Sequence, residues 1–179
     1  MGSNPTPSAM CSGATADTGH DPASDEPSDD VATMGLALDE ARAALDHDDV
    51  PVGAIVVHRG RVIAARHNER ELAHDPVGHA EILALRDAAQ HLGSWRLDEC
   101  TMYVTLEPCA MCAGAAVNAR LGSLVYAATD PKAGAVHSRF ELLDGERLNH
   151  RVHVVCGVRA EESAELLRAF FRARRSPTT

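Results

Sequence analysis

Two short motifs carry the residue types best suited to chemistry: His79-Ala80-Glu81 and, 26 residues further on, Pro108-Cys109-Ala110-Met111-Cys112. One imidazole and two thiolates are ligand types that zinc prefers. Three of them leave the fourth tetrahedral position for water, as a hydrolytic site requires and a structural one does not. Glu81 stands two residues past the histidine, where a carboxylate could take a proton from that water and hand it to a leaving group. A Cys-x-x-Cys pair by itself reads equally as a redox dithiol or as half of a structural zinc knuckle. A knuckle needs a fourth ligand, and the nearest candidate, His91, lies roughly three turns along the same helical stretch at about 1.5 Å per residue. His-x-Glu and the proline have no task in either alternative, so the hydrolytic zinc site is favoured over both.

The surrounding pattern supplies elements to position these residues. From Gly78 the chain runs HAEILALRDAAQHLG, with Ile82, Leu83, Leu85 and Ala89 as an apolar helical stripe and Gly93 as a stop. His79 and Glu81 fall in its first turn. Thr101 to Leu106 reads as a strand, followed by a small-residue helix that ends near Gly122, with Cys109 and Cys112 three apart on one face. Pro108 fits at a helix start, and the positive end of that helix favours thiolates. Elsewhere the sequence predicts a helix at Met34 to Asp46, a hairpin of Val52 to His58 and Arg61 to Arg66, and a strand at Leu124 to Ala127. It also predicts a short helix near Phe140 to Leu143, a strand at Val152 to Cys156 and a last helix from about Ala160. A hairpin followed by alternating helices and strands implies an α/β fold, three α-β-α layers around a mixed sheet.

Length and composition bound the rest. The 179 residues suit one domain, at 34–176, preceded by an acidic tail at 1–33 whose Pro, Ser, Gly and Asp content predicts disorder. That tail lacks the basic start and apolar run of a secretory signal, and no stretch has the length and apolarity of a membrane span. The formal charge of −9 includes six acidic residues of the tail, so the domain itself is near −3. Its last helix carries Arg168, Arg172, Arg174 and Arg175 around Phe170 and Phe171. This is either a basic surface for phosphates or a solvated helix end. Five cysteines, an odd count without a secretion signal, suggest a reducing cytoplasm, with Cys100 and Cys156 as reduced packing residues.

His-x-Glu followed by Pro-Cys-x-x-Cys is the signature of zinc nucleobase deaminases. Beyond it, the chain resembles the bacterial tRNA-specific adenosine deaminases over nearly all of Met34 to Arg175. The matching blocks are Val50 to Ala54, Asn68, His74-Asp75-Pro76, His79 to Arg86, Tyr103 to Ala115, Asp130 to Ala135, Asn149 to Val152 and Phe170-Phe171-Arg172. The resemblance implies a cytidine deaminase-like fold with a five-stranded sheet, and conversion of adenosine to inosine at the wobble position of a tRNA anticodon loop. It assigns His79, Cys109 and Cys112 to Zn2+ and Glu81 to proton transfer. Asn68 becomes a hydrogen-bonding partner of the purine, Pro51 and Val52 line the pocket, and the Asp130 to Gly134 loop with Lys132 meets neighbouring nucleotides and phosphates. A homodimer binding a tRNA anticodon stem-loop is also implied. Alone, Asn68 reads as a turn residue, and Lys132, the single lysine beside sixteen arginines, as a surface charge. Leu45 and Tyr126 depart from the family, which carries tryptophan in some members at the first place and phenylalanine in many at the second. The rival expectation is a zinc deaminase of a free base or nucleoside, of guanine or cytosine type, with the same zinc and glutamate but no need of a phosphate-binding face.

Overall fold

The computed structural model describes residues 27–144 and 148–175. β1 (Gly53–His58) and β2 (Arg61–His67) form a hairpin whose turn residues Arg59 and Gly60 have φ of 49° and 73°, the sign that a two-residue turn between twisted strands demands. β1 also pairs antiparallel with β3 (Cys100–Leu106), which runs parallel to β4 (Ser123–Ala128), itself parallel to β5 (His153–Cys156). The mixed five-stranded sheet expected from the resemblance is therefore present, in the order β2-β1-β3-β4-β5.

Strand alternation sorts the apolar residues onto two faces. Ala54, Val56, Met102, Val104, Leu124 and Tyr126 share one core with Ala80, Ala84 and Ala88 of α3 (Ala80–Leu92) and Ala113, Ala116 and Val117 of α4 (Ala110–Asn118). Ile55, Tyr103, Val125 and Ala127 share the other with Met34, Ala37 and Leu38 of α1 (Pro27–Ala43). The small side chains of α3 and α4 let both helices lie close to the sheet, side by side. On the α1 face Met34 and Leu38 are fully buried, each contributing about 1.5–3 kcal/mol relative to exposure. Gly53 permits the close approach of this helix, because a Cβ there would stand 2.1 Å from the Ala37 carbonyl oxygen. The last helix, α5 (Ala160–Arg175), packs near β4 and is joined to α1 by an Arg42–Glu162 ion pair of 2.7 Å. A single turn, α2 (Arg70–Ala73), follows β2. No described helix is long and apolar enough to cross a membrane.

The structure departs from expectation in several places. α1 begins at Pro27, so residues 27–33, assigned to the disordered tail, are helical. Proline at a first helical position loses no hydrogen bond, and acidic residues there complement the dipole, so a composition that reads as tail also suits a helix start. Asp30 is anchored besides, accepting a 2.7 Å hydrogen bond from the Tyr103 hydroxyl. The tail residues before Pro27 lie outside the described residues. Phe140 to Leu143 forms turns, not a helix, because the backbone bonds there are committed elsewhere, with Leu142 N–H donating to Ala135 O at 3.1 Å. β5 starts one residue later than expected. Cys100 is a free buried thiol, as expected.

Candidate metal centre and active site

The segments singled out in the sequence converge on one edge of the sheet. Leu106 and Ala128 are paired at the C-terminal ends of the parallel strands β3 and β4, where ligands of open α/β sheets bind. Because β1 runs the other way, Gly53, its first residue, lies at the same edge, its N–H donating to Thr105 Oγ1 at 3.1 Å. His67, the last residue of β2, pairs with Gly53. Pro51, Val52 and Asn68 therefore flank the junctions that carry His79 and Cys109.

His79 and Cys109 are the N-cap residues of α3 and α4, both extended, with ψ of 144° and 173°. The two helices direct their positive ends at one point. There Cys109 Sγ and Cys112 Sγ stand 3.6 Å apart, and His79 Nδ1 lies 3.8 Å from the first and 3.6 Å from the second. A tetrahedral ion at about 2.3 Å from sulfur and about 2.0–2.1 Å from nitrogen separates such atoms by about 3.8 Å (S to S) and about 3.6 Å (S to N). The triangle has those dimensions, and among the described residues it is the one such group able to hold a metal ion. Its charges are coupled. The hydrogen bond to Cys109 raises the pKa of His79, and bonds from Cys112 and His79 hold the Cys109 thiol far below its ordinary value. Sharing its hydrogen with Cys109, together with burial, pushes the Cys112 thiol up. A cation that displaces these protons would leave two thiolates and a neutral imidazole, the ligating forms.

Glu81, in the first turn of α3, is only 5% exposed. Burial raises its pKa, against its own backbone bond and the His79 charge, and its carboxylate interacts with Cys112. Desolvation of this kind favours the protonated form of the carboxyl. Asn68, 6% exposed, has a structural task that its type did not announce. Its Oδ1 accepts the Ala80 N–H at 3.0 Å, and its Nδ2 donates to Val50 O at 3.0 Å. α3 has no side-chain cap of its own at His79, so Asn68 supplies one from another segment, next to a member of the donor triangle. One amide hydrogen and one lone pair of Asn68 remain for a ligand. Pro51 and Val52 are buried beside it, and Val52 O accepts the Asn68 N–H at 3.1 Å.

The loop after β4 closes the same edge. Ala135 N–H donates to Pro108 O at 2.8 Å, and Gly134 bridges Cys109. Asp130 Oδ1 accepts the N–H groups of Lys132 at 2.9 Å and Ala133 at 3.3 Å, leaving the Lys132 side chain in solvent. Beneath the loop sits Glu107, whose carboxylate accepts from Asp130, Val136, His137 and Ser138.

A family profile described as MafB19-like deaminase matches residues 28–175. The tRNA-specific adenosine deaminase of Bacillus subtilis (strain 168) is 46% identical over 143 residues, covering 80% of this chain and 89% of its own. The chain belongs to the tRNA-specific adenosine deaminase family. A solved structure from work on A-to-I editing by tRNA:A34 deaminases at the wobble position of transfer RNA is 46% identical, with a TM-score of 0.72 over 75% of this chain and 97% of that one. Guanine deaminase from Nitrosomonas europaea is 29% identical, with a TM-score of 0.70 over 78% of this chain and 83% of its own.

The basic end of this deaminase is less available than its sequence suggested. Arg174 pairs with Asp48 at 2.8 Å and lies 4.5 Å over the Phe170 ring, while Arg168 pairs with Glu161. Arginines on a terminal helix can reach acids far away in sequence, which helical periodicity does not reveal. Tyr126, fully buried, places its hydroxyl 2.8 Å from His137 Nδ1, so the added oxygen has a partner on the loop after β4. Leu45 remains exposed at the surface. Glu107 was missed as a site residue. The available signal was a charged side chain at the end of an apolar strand, since a buried carboxylate has to find donors.

Proposed function

We propose that the protein converts adenosine to inosine at the wobble position of a tRNA anticodon loop, using Zn2+ held by His79, Cys109 and Cys112. One observation supports this reading above the others: a donor triangle of zinc dimensions with the Glu81 carboxyl buried against it, at the edge where the remaining family motifs meet. When bound, zinc supplies Lewis-acid activation of water, lowering its pKa toward about 7. Glu81 takes a proton from the attacking water and passes it to N1 of the purine so that C6 becomes electrophilic, then takes the proton of the new C6 hydroxyl and gives it to the departing amine. Water is consumed, and ammonia and inosine are the products. Asn68 offers its remaining amide hydrogen and lone pair to the purine edge, Pro51 and Val52 wall the ring, and Lys132 faces the phosphates. To reach this buried centre the adenosine must leave its stack, at a cost of a few kcal/mol that is smallest in a hairpin loop. The reading includes a homodimer, as the resemblance implies, and a cytoplasmic location, as the odd cysteine count suggests.

The structural likeness to a guanine deaminase favours a second reading, hydrolysis of a free purine by the same groups. Mass-spectrometric detection of inosine across a panel of anticodon stem-loops, with free adenosine, guanine and cytosine assayed beside them, separates the two. Turnover of a stem-loop with little turnover of free bases is expected. Turnover of a free base with every stem-loop left intact would overturn the proposal.

A further inference from the structure

Glu107 is the most heavily hydrogen-bonded carboxylate among the described residues, and none of the steps above uses it. It is 2% exposed, directly after β3 and two residues before Cys109. Its Oε1 accepts three successive backbone N–H groups, of Val136 at 3.2 Å, His137 at 2.8 Å and Ser138 at 2.8 Å. Its Oε2 accepts the Asp130 N–H at 3.0 Å and the Ser138 hydroxyl. A buried charge is tolerated only with such a set of donors. The loop supplies all five of them and no salt-bridging cation lies among them, so the loop and the carboxylate determine each other's place. The packing leaves no slack, since a Cβ at Gly134 would fall 2.4 Å from the Glu107 Cδ. Lys132 stands in the middle of the segment so clamped, and the same segment is tied to the metal junction by the Ala135 bond to Pro108.

We propose that Glu107 is a positioning residue that fixes the loop of residues 130–138, and Lys132 with it, in register with the metal junction, and so governs how the polynucleotide flanking the target base is held. The inference rests on the reading of a tRNA loop as substrate. Glu107 touches neither a metal ligand side chain nor the reacting atoms. Its effect is on grip, and a metal-bound chain with a displaced loop keeps its chemistry.

The test uses the full-length, metal-loaded chain with Glu107→Gln, which can keep the three Oε1 bonds but presents an amide hydrogen to the Asp130 N–H, and with the milder Ser138→Ala. The KM for an anticodon stem-loop should rise about tenfold or more in Glu107→Gln and less in Ser138→Ala, with kcat within about threefold, since ångström-scale misplacement of a holding group is worth about that much. Turnover of free adenosine, which has no flanking phosphates, should change less than about threefold where the parent shows it. Metal content should match the parent, and amide exchange at Asp130 and Val136 to Ser138 should quicken while that of β3 does not. Equal losses of kcat on both substrates, loss of metal, or unchanged KM and amide exchange would each overturn the inference. An error in the substrate reading shows in the parent alone, before any substitution. An error in this inference shows only as the wrong difference between parent and variant, and the exchange measurement reads that difference whichever substrate the parent takes.

Discussion

Asn68→Ala removes a side chain that holds two backbone groups from different segments, the buried Ala80 N–H at the start of α3 and the part-buried Val50 O before β1. Val50 O keeps the Val52 N–H at 2.8 Å, but Ala80 N–H loses its acceptor, and an unsatisfied buried group costs about 1–3 kcal/mol. The expected loss is about 2 kcal/mol, a sizeable share of the roughly 5–15 kcal/mol that holds a domain together. For a domain of this size that lowers Tm by about 4–8 °C. Asn68→Asp separates the two bonds. Its carboxylate still accepts from Ala80 and gains up to about 1 kcal/mol from the positive end of α3, but faces Val50 O without a donor, so a net loss of about 1 kcal/mol or less is expected. Thermal and urea unfolding of parent and both variants, with zinc content measured at each step, checks the order. Asn68→Ala should also bind metal less tightly than Asn68→Asp, since only the former frees the helix end that presents His79. Stability of Asn68→Ala within about 0.5 kcal/mol of the parent, or a larger loss for Asn68→Asp, would refute the argument that this amide caps α3.

Glu81→Ala should keep stoichiometric zinc and the fold while deamination falls by at least about 10²-fold, the usual worth of a placed proton carrier; inosine formation and metal content measured together decide it. Cys109→Ser and Cys112→Ser should lose both zinc and solubility, because metal binding is partly folding energy here, whereas Cys100→Ser should retain the ion in the same assay. Lys132→Ala should weaken binding of a stem-loop and flatten its salt dependence by at most about 0.7–0.9 in the log-log slope, with zinc unchanged, as read by titration across a salt series. Arg174→Ala should cost no more than about 1 kcal/mol in urea unfolding, since its ion pair with Asp48 is largely in solvent and its stacking on Phe170 is modest.

The parts of this protein legible in its sequence are those where one residue type has one physical use. His79, Cys109 and Cys112 could be read together because few pairs of motifs make a three-ligand set, and the strands because apolar runs alternate about Gly60 and end at glycine or proline. What escaped depends on partners remote in sequence. Nothing local distinguishes Asp30, which meets Tyr103 across the core, from the acids before it. Glu107 reads as a charge at a strand end until the loop folds over it. Arg174 reads as part of a basic patch until Asp48 is found beneath it. Asn68 reads as a turn residue or a ligand contact, yet the bonds its side chain makes are to backbone groups, which have no signature in the sequence at all. The same limit applies to Phe140 to Leu143, whose apolar residues suggested a helix although their backbone bonds close a turn.

The edge at which the motifs meet also sets an order of events. His79 is held at the end of β2 through Asn68, and Cys109 by the end of β3, so the donor triangle can form only once β2, β1 and β3 have paired. β4 and β5 are not needed for it, but the loop gathered by Glu107 begins only after β4. Ion capture would therefore report the antiparallel half of the sheet, whose β1–β3 pairing (Ala54 with Val104) joins residues farther apart in sequence than β3–β4 (Thr101 with Ser123), and ordering of the loop would report the arrival of β4. During synthesis β4 and the loop follow β3, so a nascent chain would complete the donor triangle before the loop: chains ending before β4 should take up a coloured divalent ion without acquiring stem-loop affinity.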